Sequence, residues 1–335
     1  MPNIAFIGLG TMGSPMAKRL INSGFKLSIF DISKNALSKF EKDNVKISSS
    51  PKEAAIDADF LITMLPKSDD VKEAILGLNG AVQSLKENSL VIEMSTIYPS
   101  VTNNIFEKLK SKNIHFIDAP VGRTPRDAAS GDLLIIAGGE KKDINHARPV
   151  LKVLGNEIIH VGDVCSGIKM KLINNYMSMV GMVMTAETIH FAKSLGIDQS
   201  KAVKILQGTA AGKGQININF PQKVLSGDIT PDFPLKMGLK DISLAIQLGE
   251  ENNLSLNLGR ISKEYYALAE KFGRQDHDCT AMLHLIEEVT NLKNVIDIGC
   301  GTAVLAMAVA IASSSKFFVL FQKILLCALS KMESS

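Results

Sequence analysis

The sequence predicts an α/β Rossmann-type N-terminal domain with a mostly parallel sheet, followed by an all-α C-terminal domain. Three observations carry this. Short apolar runs alternate with helix-length amphipathic segments through about residue 160. A glycine pattern, Gly8-Leu9-Gly10-Thr11-Met12-Gly13, directly follows the first run. From about residue 166 to 292 the strand-like runs stop and helical periodicity takes over.

The apolar runs lie at 4–7, 27–30, 60–64, 90–92, 114–117, 133–136 and 158–161. Each is strand-length, and most are separated by enough residues for a crossover helix, which is the pattern of βαβ units. The glycine pattern gains meaning from this context, because a strand precedes it and a helix, 14–23, follows. Gly8 permits the tight turn, Gly10 lets a pyrophosphate approach the backbone, and Gly13 lets helix and strand pack closely. Thr11 and Met12 complete the loop at a helix start whose free N–H groups suit an anion. The second strand ends at Asp31, 18 residues beyond Gly13, where a carboxylate can accept from adenosine ribose hydroxyls and would repel a 2′-phosphate. These residues predict NAD(H) rather than NADP(H). The alternative is a glycine turn with no ligand. In an open parallel sheet, ligands lie beyond the carboxyl ends of the strands. There Leu65 is a candidate to cover an apolar part of the cofactor, and Thr96 to hydrogen-bond near the nicotinamide.

Bulk properties narrow the function class. The 335 residues suit roughly two domains, and 46% hydrophobic with 21% charged residues leaves ample core-forming material. A formal net charge of +3 without a Lys/Arg block argues against a nucleic-acid or membrane-surface partner. Cys165, Cys279, Cys300 and Cys327 form no CxxC pair and have no His at metal-ligand spacing, so reduced thiols and no metal site are expected. Met1-Pro2-Asn3 passes straight into an apolar strand without a basic leader or cleavage-type site, and a cytoplasmic location is expected.

A second constellation sits on the long apolar helix predicted over 169–191. Lys171, Asn174, Asn175 and Ser178 interrupt it at spacings that place them on one face. A solvated face of a surface helix is the plain alternative. The stripe is narrow and almost uncharged, which suits the wall of a site between two domains. A lysine in so dry a setting has its charged form disfavoured, moving its pKa toward the range useful for proton transfer. A third piece leaves the strand ending at Asp118 and turns through Gly122 to Arg123 and Thr124. Arg123 offers a planar fork of donors for a carboxylate, phosphate or sulfonate, and Thr124 adds a hydroxyl. Residues 208–214, GTAAGKG, lack the order of a phosphate loop and follow no strand, which excludes an NTPase. Lys240-Asp241, on a predicted helix, is a candidate for a second cation at the same cleft.

Together these motifs resemble the β-hydroxyacid dehydrogenase (3-hydroxyisobutyrate dehydrogenase-like) family. The matching pieces are residues 6–13, Asp118-Ala119-Pro120-Val121, Gly167-x-x-x-Lys171-x-x-Asn174-Asn175 and Lys240-Asp241, in the family's order through about residue 294. The resemblance implies a catalytic acid/base at Lys171 and substrate binding at Asn175, with Lys240 near both nicotinamide and substrate. Where the family commonly continues Ser-Gly-Gly after the DAPV piece, this chain has Gly122-Arg123-Thr124. With Asn174–Ser178 and residues 208–214, this is similar to the branch that reduces 3-sulfolactaldehyde to 2,3-dihydroxypropane-1-sulfonate with NADH. It implies that Arg123 and Thr124 hold the sulfonate, while Asn174, Asn175 and Ser178 orient the aldehyde. The rival family activities are those of 3-hydroxyisobutyrate dehydrogenase and tartronate semialdehyde reductase. The Lys171/Asn175 pair argues against a non-catalytic NAD-binding protein.

The expected organisation is an NAD-binding domain over 1–163, a helical substrate and dimerisation domain over 164–294, and an atypical apolar extension over 295–335. The apolar helical domain leads us to expect a homodimer or homotetramer. The extension opens on Val295-Ile296-Asp297-Ile298-Gly299-Cys300-Gly301-Thr302, like a methyltransferase nucleotide loop, but is too short for such a domain. Its apolar stretches 303–312 and 317–329 are each shorter than a membrane span requires. A helical hairpin packed on the body or a partner subunit, and a fusion remnant, both remain open.

Overall fold

Each buried strand of the N-terminal region is apolar on both faces, as a sheet covered by helices on both sides requires. The computed structural model describes the backbone of residues 1–300 and the side chains of residues 1–291. The chain runs β1 (Asn3–Ile7), α1 (Gly13–Asn22), β2 (Lys26–Phe30), α2 (Lys34–Ser38), β3 (Lys46–Ile47) and α3 (Pro51–Ala54). It continues through β4 (Phe60–Thr63), α4 (Ser68–Leu76), β5 (Leu90–Glu93), α5 (Pro99–Lys110) and β6 (His115–Asp118). Next come β7 (Val121–Gly122), α6 (Pro125–Ser130), β8 (Leu134–Gly138), α7 (Lys141–Leu154) and β9 (Glu157–Gly162). All seven apolar runs form strands. The two-residue β3 and β7 were not expected, since so short a segment carries no periodic signal.

Strands β3-β2-β1-β4-β5-β6 pair in parallel in that order. The reversal between β1→β2 and β1→β4 creates the switch point at which such sheets bind ligands. Beyond it, β6 and β7 lie end to end along one side of β8, antiparallel to it, with β9 parallel on the other. Alternate residues of each strand divide between two cores. Ile4, Phe6, Ile29 and Ile62 pack with Met16 and Leu20 of α1 and Val150 and Leu151 of α7. Ala5, Ile7, Leu61, Val91 and Phe116 pack with residues of α3, α4 and α5.

The chain divides into two compact units, Met1–Val180 and a second beginning at Gly181, and the division falls inside α8 (Ser166–Ser194). The second unit contains α9 (Gln199–Gly208), α10 (Ala210–Lys213), α11 (Gln215–Ile218), α12 (Leu235–Glu251), α13 (Asn257–Lys271) and α14 (Met282–Cys300). Its core centres on Leu235, Ala269, Ala281 and Leu285. Buried Asp278 ties its loops: one carboxylate oxygen accepts from Thr280 N at 3.0 Å and the other from Asp232 N at 3.1 Å. The residues GTAAGKG end α9 and form short α10, confirming that no strand precedes them. Residues 295–300, where the sequence looked like the start of a nucleotide loop, continue α14 as helix. The apolar stretches 303–312 and 317–329 lie outside the described residues. Among the described residues no helix is long and apolar enough to cross a membrane.

Candidate active site

The turn from β1 into α1 has three glycines with three different environments. Gly8 adopts φ +98°, donates to Phe30 O at 3.0 Å, and has Met64 O only 2.3 Å from where a Cβ would stand. A Cβ on Gly13 would lie 1.9 Å from Gly8 O, so the helix is pressed directly against its own entry turn. Nothing lies within 4 Å of a Cβ built on Gly10, which leaves its backbone open to a ligand. Helix α1 has no side-chain cap and no acidic residue in its first turn. Its positive end is thus open to a pyrophosphate, with the Ser14 amide already donating to Gly10 O at 3.0 Å. An open cleft of about 510 Å³ adjoins this turn, lined by Leu9, Gly10, Thr11, Asp31, Ser33 and Lys39 among others. Asp31 is anchored there: its carboxylate accepts from Leu9 N at 2.6 Å and Ser33 N at 2.7 Å. These residues fit the dinucleotide expected from the sequence.

Leu65 and Thr96 follow β4 and β5 at the same carboxyl edge, with Leu65 partly buried and Thr96 exposed. Their loops are tied together by Ser95, whose Oγ accepts from Leu65 N at 2.9 Å. The Ser95 amide donates at 2.7 Å to Oε1 of Glu93, the last residue of β5. Glu93 is fully buried beside Asp118, its register partner at the end of β6, and its Oε2 has no partner among the described residues. Burial pushes the Glu93 carboxyl up to about 8, with the Asp118 charge adding and the Ser95 bonds opposing. Burial also pushes Asp118 up to about 6, against the pull of backbone N–H groups of Ile168 and Cys165. Sequence reading did not single out Glu93, although a carboxyl ending an otherwise apolar strand, Leu90-Val91-Ile92-Glu93, was the available signal.

Helix α8 leaves the sheet edge next to Asp118 and carries Lys171, Asn174, Asn175 and Ser178. Lys171 is half-buried, and burial lowers its pKa. Among the described residues no carboxylate lies within salt-bridge distance of it, so nothing offsets that desolvation. Asn174 donates to the Asn175 side chain at 3.3 Å. The apolar residues flanking the stripe differ from expectation: Ile173, Tyr176, Met177 and Met179 are exposed, and only Gly167 and Ile168 of this helix are buried.

Arg123 and Thr124 stand at the far end of β7. Arg123 has φ +75°, a conformation usual for glycine. Its guanidinium donates to Asp132 O, to Asn156 Oδ1 at 2.7 Å and to Glu157 Oε2 at 3.0 Å. Thr124 is the N-cap of α6 in a reciprocal box with Asp127, which the sequence reading had not anticipated. Both side chains therefore hold local structure in this state. Lys240 belongs to the second unit, on α12, and pairs with Asp241 at 3.0 Å.

An open glycine turn feeding an uncapped helix at a parallel-sheet switch point is the arrangement of nicotinamide-dinucleotide oxidoreductases, and comparison with known proteins agrees. Residues 3–162 match the NAD binding domain of 6-phosphogluconate dehydrogenase, and residues 165–286 match the NAD-binding domain of NADP-dependent 3-hydroxyisobutyrate dehydrogenase. The chain belongs to the 3-hydroxyisobutyrate dehydrogenase-like family of NAD-dependent hydroxyacid dehydrogenases. It is 40% identical over 286 residues to the 3-sulfolactaldehyde reductase of Escherichia coli (strain K12), covering 85% of this chain and 96% of that protein. It is 30% identical over 291 residues to the mitochondrial 3-hydroxyisobutyrate dehydrogenase of Homo sapiens, covering 85% and 87%. Among solved structures, the Mycobacterium tuberculosis 3-hydroxyisobutyrate dehydrogenase with L-serine aligns at 28% identity and TM-score 0.58, covering 85% of this chain and 99% of that one. The Myxococcus stipitatus imine reductase with NAD+ shares the fold, with TM-score 0.77 at 18% identity over 85% and 99% of the two chains.

Proposed function

We propose that this protein reduces 3-sulfolactaldehyde to 2,3-dihydroxypropane-1-sulfonate, with Lys171 as the general acid. The observation that carries the chemistry is Lys171 itself: half-buried, lowered in pKa by that burial, and without a carboxylate partner among the described residues. NADH, when bound, supplies the hydride that reaches the carbonyl carbon. Lys171, as ammonium, donates a proton to the forming alkoxide, and neutral Lys171 takes it back in the oxidative direction. Asn174, Asn175 and Ser178, on the same face of α8, orient the aldehyde. Gly8, Gly10, Thr11, Met12, Gly13 and Asp31 hold the pyrophosphate and adenosine, while Leu65 and Thr96 meet the nicotinamide half. Lys240 is assigned to cofactor and substrate on the family pattern alone.

The substrate reading rests on Arg123, supported by 40% identity to a protein named for that activity. The guanidinium exchanges its Glu157 and Asn156 contacts for the sulfonate. That exchange is cheap, because an exposed ion pair contributes only about 0–1 kcal/mol, and this one is 37% and 52% exposed on its two sides. The anionic sulfonate offers three acceptor oxygens to the fork.

The decisive experiment measures NADH oxidation with 3-sulfolactaldehyde, methylmalonate semialdehyde, tartronate semialdehyde and a neutral aldehyde. The sulfonated aldehyde is expected to give the highest kcat/KM. A higher value for a carboxylated semialdehyde would move the assignment to that member of the family. Lys171→Ala should lose about 10²–10⁴-fold in turnover while still quenching or enhancing NADH fluorescence as the parent does. Turnover retained by Lys171→Ala would remove it as the acid.

A further inference from the structure

We propose that Asp118 is the positioning residue for Lys171: from the end of β6 its carboxylate supplies the N-terminal cap of α8. This rests on the reading of Lys171 as general acid. A helix start leaves several N–H groups without partners, and a capping box normally satisfies two of them with side chains of the helix's own first turn. Helix α8 has no such box. Its cap position is Cys165, whose carbonyl accepts the first intrahelical bond, from Lys169 N at 3.1 Å. The Cys165 thiol is turned to Pro99 O at 3.5 Å. Both orphan donors instead reach one carboxylate, some fifty residues earlier in the chain. Cys165 N donates to Asp118 Oδ1 at 2.8 Å, and Ile168 N donates to Asp118 Oδ2 at 2.7 Å.

The helix start is also held in place sterically. A Cβ on Gly167 would lie 2.4 Å from Ile136 O and 2.9 Å from Asp118 Oδ2. A Cβ on Gly138, at the end of β8, would lie 2.6 Å from Gly167 N. The first turn therefore rests directly on the sheet edge, and only glycine permits it. Asp118 is fully buried, so water does not compete for the two amides. Lys171 follows Ile168 by three residues, about 4.5 Å further along the axis at 1.5 Å per residue. Asn174, Asn175 and Ser178 are carried by the same rod. The sheet edge that holds the glycine turn thus sets the origin from which the proton donor is measured out, and a displacement of about 1 Å at a reacting group is worth about 100-fold in rate.

The test compares Asp118→Asn with Gly167→Ala in the full-length chain, and uses Lys171→Ala alongside. Asparagine keeps the shape but turns one acceptor into an N–H donor facing an amide. Alanine at position 167 keeps the Asp118 charge and displaces the first turn sterically, its methyl meeting Ile136 O and Asp118 Oδ2. Both variants are expected to lose about tenfold or more in kcat, with KM for NADH and NADH affinity by fluorescence within about twofold of the parent. A cap that serves only stability would lower the melting temperature and leave kcat per NADH-binding site unchanged, and that result overturns the proposal. So does parallel loss of NADH affinity. If Lys171→Ala keeps its turnover, the general-acid reading fails. If Lys171→Ala is inactive but both other variants turn over normally, the positioning role alone fails. A measurement on the unaltered protein stands beside these should either variant not fold. The Ile168 amide should exchange as slowly as the amides of the central strands, and rapid exchange there contradicts the cap.

Discussion

Two carboxyls end adjacent strands inside the sheet edge, and their burial determines how they titrate. The ordinary values are 4.5 for Glu93 and 3.8 for Asp118, and burial pushes them up to about 8 and about 6. Across that window the folded protein holds more protons than the unfolded chain. The stabilisation is therefore complete below about pH 4 and is lost as pH rises through about 6 and then about 8, at up to ~1.4 kcal/mol per pH unit for each proton. Melting temperature should fall between about pH 4 and about pH 8. Glu93→Gln keeps the neutral shape and cannot ionise, so it should flatten the upper part of that fall; an unchanged slope would remove Glu93 as its source. Arg123 makes a separate case. At φ +75° it strains its backbone by about 1–2 kcal/mol, while its exposed ion pair returns about 0–1 kcal/mol. Arg123→Gly should accordingly leave the melting temperature within a few degrees of the parent. It should raise KM for a sulfonated aldehyde at least tenfold more than for a neutral one, and equal effects on both would exclude an anion role.

At the level of single elements, the β1–α1 turn separates packing from binding. Gly13 has the Gly8 carbonyl 1.9 Å from a Cβ position, whereas Gly10 has nothing within 4 Å. Gly13→Ala must shift backbone and should cost about 1–3 kcal/mol in stability. Gly10→Ala should keep its melting temperature yet bind NADH at least tenfold more weakly, because the methyl occupies the approach path of the pyrophosphate. Thermal unfolding and NADH fluorescence titration of the two variants should give opposite patterns. If Gly10→Ala bound NADH normally, the pyrophosphate would not be approaching that backbone. Helix α8 joins the two halves of the site logic: its start is built into the sheet, and its length carries the polar stripe.

The whole molecule presents an unusual amount of apolar surface along one helix. Ile173, Met177, Met179, Met182, Val183 and Met184 are all between about half and two-thirds exposed in the single chain. Exposed apolar side chains of this kind are the material of an association surface. We expect sedimentation velocity to give a dimer or tetramer at micromolar concentration, and Met177→Glu to shift it toward monomer. A monomeric parent protein would overturn this. Association through these residues would account for the exposed apolar flanks of a helix that the sequence makes too apolar for a solvated face.

The alternation of apolar runs with crossover segments, the glycine turn and the loss of strand signal after residue 166 were legible because each depends on local spacing. Seven strands, a glycine turn after the first of them, and the common face of Lys171, Asn174, Asn175 and Ser178 follow from those periods. What the sequence did not show were contacts made across the sheet. Thr124 is a separate case: it read as a substrate donor and is also a helix cap, through a local box with Asp127 whose three-residue spacing was the available signal. Arg123 read as a free fork and is tied to Asn156 and Glu157. Glu93 went unnoticed, and Asp118 passed as part of a motif, because their neighbours come from strands and turns far away in the chain. The glycine turn and the lysine stripe were determined by sequence alone, since the turn and helix that form them are local. The buried carboxylate that gives α8 its starting point was decided only by the fold, since hydrogen bonds between residues 118, 165 and 168 exist only once β6 and α8 are brought together.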